Sequence, residues 1–421
     1  MAAGSGYLEI LRTRHAARLL AGTLVGRLPN ATAAIAVVLF VRAEGGSYSL
    51  AGVLAAVYGV ANAVGQPLLG RLVDLYGQPR VQLPAALVSA FAMAVFALTG
   101  VEAFAGACVA VVAAGLFTPP LEGGLRALWP SVLRREEQVQ TAYAMDAVAQ
   151  EVMFTLGPLL VTLCVSLWSA GAALVVVNVL GVLGALSVVV SPPSRAWRSA
   201  PREAHWLGAL RSPGLLALLG AFLFVGVALG SITVAAVSYA DGHGGDAVYG
   251  RLMAALGLGA LVGGSVYGAR RWPGAPERRL RVLVGLLAVC YVPLTLVPGA
   301  VAMTVLTGVA GVFLAPCIAV AFVLVDRHAP GGTVTEAFSW LVTTFTVGAS
   351  VGTGLAGPVV QAGGARWGFG VPGAAAVVSL LVLLATGRVL AAPVGRGRVA
   401  VSSENDPNRA VEPRFSSGDR A

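Results

Sequence analysis

Gly70-Arg71-Leu72-Val73-Asp74-Leu75-Tyr76-Gly77-Gln78-Pro79-Arg80 closes one apolar run, residues 49–69, and opens another, residues 81–101. Neither run holds a charged side chain. An α-helix needs about 20 apolar residues to cross a bilayer core roughly 30 Å thick. The segment therefore reads as a tight turn at a membrane surface between two spanning helices, with Gly77 and Pro79 as its turn residues. Outward from it, charge-poor runs recur at 19–41, 103–125, 144–166, 170–190, 214–239, 249–269, 281–297, 300–325, 337–360 and 368–388. The turn signal Val297-Pro298-Gly299 divides the ninth run from the tenth. The count is twelve.

Composition agrees with this reading. The 421 residues are 57% hydrophobic and 11% charged, with a mean hydropathy of +0.82, whereas a soluble domain carries about a quarter charged residues. A soluble fold is excluded, and the expected class is an all-α polytopic membrane protein. All 28 basic residues are Arg. Without Lys there is no Walker A lysine, no lysine Schiff base and no Ser-x-x-Lys nucleophile. The four His are scattered, and Cys108, Cys164, Cys290 and Cys317 all fall within spans, at spacings that suit neither a metal site nor a disulfide framework. No catalytic residue, no metal and no cofactor is expected.

Arginine placement orients the spans. With the N-terminus inside, 24 Arg fall on the cytoplasmic side, three (Arg42, Arg251, Arg366) outside and Arg27 within a span. Such asymmetry is the positive-inside rule and places both termini in the cytoplasm of a cell carrying the protein in its plasma membrane. The net charge of +9 then reflects topology and anionic lipid head groups rather than nucleic acid. The first apolar run is an uncleaved helix, not a secretory signal, because Arg27 interrupts it and eleven spans follow. Asn30-Ala31-Thr32 matches a glycosylation pattern but lies in a span, where no glycosyltransferase acts. The expected organisation is a cytoplasmic N-terminus (1–18), a six-helix half (19–190), a Pro- and Arg-rich cytoplasmic linker (191–213), a second six-helix half (214–390) and a disordered cytoplasmic tail (391–421).

The halves echo one another. A shift of 198 positions lays Gly52, Gly59, Gly65 and Gly70 of the second span onto Gly250, Gly257, Gly263 and Gly268 of the eighth. Ala142-Tyr143 and Gly157 of the fifth span match Ala337-Phe338 and Gly352 of the eleventh at an offset of 195. A parallel 6+6 repeat belongs to transporters built from two rocking halves with substrate between them.

Residues 70–80 resemble the cytoplasmic-loop signature of the major facilitator superfamily: Gly70, Asp74, Gly77 and Arg80 match, whereas Leu75 and Gln78 stand where that family has basic residues. The resemblance extends over residues 15–390. It implies that Asp74 meets the N-terminal end of the eleventh helix and that Arg80 joins a charge relay favouring the outward-facing state. A carboxylate at a helix N-terminus is favourable for dipole and hydrogen-bond reasons. Gly157-Pro158 resembles the exporter signature of the drug/proton antiporter branch, although the flanking glycines are replaced by Met153, Val161 and Thr162.

Charges inside the membrane cost about 2.5–3.5 kcal/mol each on the insertion scale, so they mark partners or water-filled cavities. Arg27, Glu122 and Glu151 lie at similar depths, roughly 10–14 Å from the cytoplasmic surface at 1.5 Å per residue. One cation shared by two carboxylates would leave one able to bind and release a proton. The alternative is a permanent Arg27–Glu151 pair with Glu122 satisfied by Arg126. Asp146 reads as interfacial and Glu336 as helix-start chemistry. Asn30, Tyr58, Asn62, Gln66, Tyr239, Trp340, Thr343 and Thr344 are the neutral polar candidates for a substrate cavity, the second half having no charge near its midplane. Gly352-Thr353-Gly354-Leu355-Ala356-Gly357 fits a dinucleotide fingerprint by letters only; inside a span it reads as a helix-packing surface. The expected function is proton-coupled efflux of a small, largely apolar molecule by a monomer, with protons and lipids as partners. The alternatives are an uptake carrier for a sugar or metabolite and, more distantly, a non-transporting membrane protein.

Overall fold

Twelve helical spans follow one another in the computed structural model, which describes residues 5–133, 135–201, 205–270, 272 and 274–392. They are α1 (Ala16–Ala43), α2 (Tyr48–Tyr76), α3 (Gln78–Thr99), α4 (Phe104–Val132), α5 (Glu136–Leu167), α6 (Ala170–Val189), α7 (Pro213–Asp241), α8 (Asp246–Gly268), α9 (Pro276–Leu296), α10 (Ala300–His328), α11 (Val334–Gly368) and α12 (Gly370–Ala385). The first ten are each long and apolar enough to cross a membrane alone. Between α11 and α12 the chain bends by 83°, and Gly364, at φ 67°, breaks α11 just before its end. No strand occurs among the described residues. The expected disordered tail lies, from residue 393, outside the described residues.

Among the described residues α1, α4 and α10 are interrupted well inside their length. Pro29 has no N–H to offer the Val25 carbonyl, and α1 breaks at Arg27 into Ala16–Gly26 and Leu28–Ala43. Pro119 and Pro120 divide α4 into Phe104–Leu116 and Leu121–Val132. α10 breaks at Val312 and Phe313. A backbone opened inside a membrane must find other partners. At the α4 break, Gln66 Nε2 donates to the Thr118 carbonyl at 2.9 Å, and the Tyr58 and Thr118 hydroxyls lie 3.0 Å apart.

Both breaks in α4 and α10 are gripped in the same way. A Cβ on Gly65 of α2 would collide with the Leu116 carbonyl, and a Cβ on Gly263 of α8 with the Val312 carbonyl. Reciprocally, Gly115 lies against residues 58–62 and Gly311 against residues 256–260. Of the glycine register seen in the sequence, the Gly65–Gly263 match thus sits on the seam where each half packs its second helix onto its fourth.

Contacts between the halves gather at the arginine-rich end. There Gly123 of α4 faces α11, where a Cβ would stand 3.1 Å from the Thr335 carbonyl and 3.3 Å from Ser339 Oγ. Farther along, Thr343 Oγ1 of α11 donates to the Ala63 carbonyl of α2 at 3.2 Å. Toward the other end, Gly52 and Gly59 of α2, Gly250 of α8, and Gly354 and Gly357 of α11 have no atom within 4 Å of an added Cβ. The molecule is shut at its arginine-rich end and parted at the other.

The segments flanking the halves take part in the closure. The helix Ser5–Arg12 buries Ile10 and crosses between them: Tyr7 donates to the Gly264 carbonyl of α8 at 3.1 Å, while Glu9 pairs with Arg135 and accepts from Gln138 at 2.9 Å. The linker is docked rather than slack. Ser194 donates to Gln78 Oε1 at 2.8 Å, and Arg71 Nη1 donates to the Trp206 carbonyl at 2.8 Å. Arg327 at the end of α10 pairs with Glu136 at the start of α5, at 3.3 Å.

Two outcomes follow from this closure. Gly123→Val forces α4 from α11 at an overpacking cost of about 1–3 kcal/mol, so spin labels at Tyr76→Cys and Arg270→Cys report a longer distance; an unchanged distance shows that this contact does not hold the end shut. Burial pushes the Tyr7 phenol up to about 12 from an ordinary value near 10. Its neutral form is the bonded one, so its contribution is complete below pH 10 and is lost as the pH rises through about 12. Tyr7→Phe lowers hydrogen-exchange protection of residues 5–12 by roughly fivefold at neutral pH, the loss of one ordinary hydrogen bond.

Candidate functional site

The breaks in α1 and α4 put charge at interrupted backbone. Arg27 is the residue at which α1 is broken, and Glu122 stands in the first turn of Leu121–Val132, where free N–H groups favour a carboxylate. Arg27 Nε lies 3.0 Å from Glu122 Oε1, and its Nη1 lies 3.2 Å from Asp146 Oδ1. Arg126 Nε lies 2.6 Å from Asp146 Oδ2, and its Nη2 lies 3.4 Å from Glu122 Oε2. Two guanidiniums and two carboxylates alternate around a closed ring of formal charge zero. Side-chain exposure is 0% for Arg126 and Asp146, 4% for Arg27 and 10% for Glu122. Glu122 is therefore the member through which the ring meets its surroundings.

Neutral polar groups extend from that member. Asn30 Nδ2 reaches Glu122 Oε1 at 3.5 Å, Asn62 Nδ2 donates to Asn30 Oδ1 at 2.8 Å, and Gln66 Nε2 donates to Asn62 Oδ1 at 3.3 Å. On the other side, Gln150 Oε1 accepts from Arg126 at 3.3 Å. The second half covers the ring with aromatic rings. The Arg126 guanidinium carbon lies 3.7 Å from the Phe322 centroid of α10 and 5.9 Å from that of Phe338 of α11. Tyr143 of α5 packs against both. Arg126 Nη1 has no hydrogen-bond partner among the described residues, and a guanidinium over a ring face gains a cation–π attraction instead.

Several residues lie elsewhere than the sequence suggests. Asp146 is fully buried rather than interfacial, because α5 begins at Glu136 and carries Asp146 about 15 Å in. Arg126, counted with the cytoplasmic arginines, is likewise fully buried, because α4 continues to Val132. Arg27 pairs with Glu122 and Asp146, not with Glu151, which is half-buried on α5 outside the ring. Tyr58 is spent on Thr118. Tyr239 is buried at the parted end, donating to the Pro298 carbonyl at 2.5 Å and stacked on His243. Trp340 and Thr344 are half-buried on α11.

In the signature loop, Asp74 accepts from the backbone N–H groups of Thr335, at 3.1 Å, and Glu336, at 2.9 Å, at the start of α11. Gly70 lies against the same turn, where a Cβ would come within 3.1 Å of Glu336 Cα. Gly77, at φ 87°, makes the turn into α3 in a conformation that favours glycine. Arg80 is exposed and makes no ion pair among the described residues; Arg71 makes the loop's contacts instead. Among the described residues no three His, Cys, Asp or Glu side chains come together to hold a metal ion.

Removing one member unbalances the ring. Asp146→Asn leaves two buried guanidiniums facing one carboxylate and costs about 3–5 kcal/mol. The purified variant melts lower than Glu151→Gln, which leaves the ring intact; equal melting of the two refutes the ring as a stabilising unit.

No curated protein matches the sequence. Solved structures do match the fold. A bacterial homologue of the iron transporter ferroportin, in its outward-facing state, gives a TM-score of 0.69 at 17% identity, over 88% of this chain and 99% of that one. The human organic anion transporter MFSD10 (TETRAN) gives 0.62 at 17% identity, over 87% and 99%. The transporter FucP in its outward conformation gives 0.68 at 15% identity, over 87% and 97%. Likeness at these identities establishes the fold and not the cargo. Residues 19–323 match the profile of the Major Facilitator Superfamily, and with this profile, the twelve spans and these neighbours, the chain belongs to that family of membrane transporters and is not an enzyme.

Proposed function

We propose that the chain is a proton-coupled exporter of a small, largely apolar molecule. It works by alternating access as a monomer in the plasma membrane, with both termini in the cytoplasm and the proton gradient as its energy source. The observation that carries the reading is the neutral charge ring in the first half, covered by Phe322 and Phe338 of the second. Protonation of Glu122 leaves two guanidiniums facing the single carboxylate of Asp146. A net positive charge held out of water is costly, and water reaches it when the aromatic cover withdraws. Withdrawal of that cover parts the halves at the arginine-rich end, so a proton bound from the open side favours the change of sides.

Two features favour export of an apolar cargo. The second half brings no charged side chain to mid-depth, which leaves Asn30, Asn62 and Gln66 as the polar landmarks beside the ring. The Gly157-Pro158 pair lies where α5 meets α1, with a Cβ at Gly157 falling 2.8 Å from Thr32 Cγ2. Uptake is the second reading, because the similar structure of FucP is described as that of a fucose:proton symporter.

Cells producing the protein are challenged with a panel of hydrophobic toxins, and each compound whose toxicity falls is then followed in proteoliposomes under an imposed pH gradient. Gradient-driven flux is expected in the wild type. Glu122→Gln reduces that flux at least tenfold, with a smaller effect from Glu151→Gln. Flux indifferent to the gradient in the wild type overturns proton coupling; gradient-driven flux retained by Glu122→Gln overturns the ring as its site. Gradient-driven accumulation inside the cells reverses the direction and leaves the ring in place.

A further inference from the structure

The hinge between the crossing helix Ser5–Arg12 and α1 opens onto a groove that neither the ring nor the gate uses. Its volume is about 630 Å³, and Arg14, His15, Ser131, Pro193, Trp197 and Arg198 are among the residues lining it. These residues come from three places where the chain leaves the apolar layer: just before α1, at the end of α4, and just after α6. That is the depth of lipid head groups. Among the described residues no acidic side chain lines the groove. Arg14 is exposed and lies in the groove without an acidic neighbour among its described lining, whereas every charge of the central ring is matched. Arg198 uses Nη1 to donate to the carbonyls of Arg195 and Trp197, at 2.9 and 2.7 Å, which fixes its guanidinium beside the groove. His15 adopts φ 72° and ψ −16°, a left-handed conformation that costs a non-glycine residue energy and is retained where surroundings demand it.

We propose that this groove is a binding site for the phosphate head group of an anionic membrane lipid. Arg14 and Arg198 supply the positive charge, and Ser131 and His15 supply short-range donors. Trp197 provides an amphipathic ring of the kind enriched at the membrane–water boundary. Basic pockets between spans on the positively charged side of a membrane protein select acidic head groups over zwitterionic ones for this reason. A lipid is the occupant because the groove lies at head-group depth, where an anionic phosphodiester is the anion within reach. Its place on the hinge gives the lipid a consequence. Holding residues 13–15 holds the Ser5–Arg12 helix against α8 and α5, so anionic lipid favours the closed arginine-rich end.

The full chain is reconstituted in nanodiscs of mixed phosphatidylglycerol and phosphatidylcholine, released in the mass spectrometer, and scored for retained lipid. Wild type retains phosphatidylglycerol in preference to phosphatidylcholine. Two surface arginines are together worth a roughly 30-fold preference, which Arg14→Gln/Arg198→Gln loses. Arg251→Gln, at the opposite end, keeps it and controls for total charge. Equal retention of the two lipids by wild type overturns the proposal, as does an undiminished preference in the double variant. Displacement of the lipid by equimolar glycerol phosphate also overturns it, because the site then takes a small soluble anion.

Discussion

Two carboxylates and two guanidiniums buried to nine-tenths or more constrain everything around them. Each would be expelled from a bilayer singly, and together they are tolerated only because they alternate at hydrogen-bond distances. That geometry needs helices which are not smooth. The interruption of α1 carries Arg27, and the interruption of α4 starts a new helical segment with Glu122 in its first turn. The prolines at these breaks place the two charges, and Gln66, Tyr58 and Thr118 answer the backbone that the α4 break opens.

The same interruptions show why one half differs from the other. α4 and α10 break at matched positions and are gripped by matched glycines. Only the first carries charge. The corresponding region of the second half presents Phe322, and α11 adds Phe338. Duplication supplied two equal frames; one became polar inside and the other became its apolar lid.

Much of this was legible in the chain and some was hidden for identifiable reasons. Runs of about 20 apolar residues mark the spans, and Asp74 with Gly70 foretells the contact with the start of α11. Arg27 and Glu122 stood out because each is a lone charge in an apolar run. Arg126 was legible as a partner for Glu122, but its burial and that of Asp146 were not, since both lie close to clusters of charge that look like loops. A helix end read from hydropathy stops at the first polar residue, whereas the backbone of α5 runs on to Glu136 and that of α4 to Val132. The spacing of Asp146 and Gln150, and of Glu122 and Arg126, one helical turn apart in each case, was the signal available. Arg80 carries a family role on sequence alone, but it is exposed and Arg71 holds the loop instead.

The absence of lysine has a consequence for the ring. A guanidinium does not release its proton inside a protein, so both cations of the ring are constants and only its carboxylates can be counted up or down. With two fixed cations against two carboxylates, the ring is never negative. An ammonium in either position would have allowed the neutral and the singly charged rings to be reached by losing a proton from the base as well as by gaining one on the acid. With arginine alone, each proton bound there is one unit of positive charge that the surrounding apolar shell must either confine or let out to water.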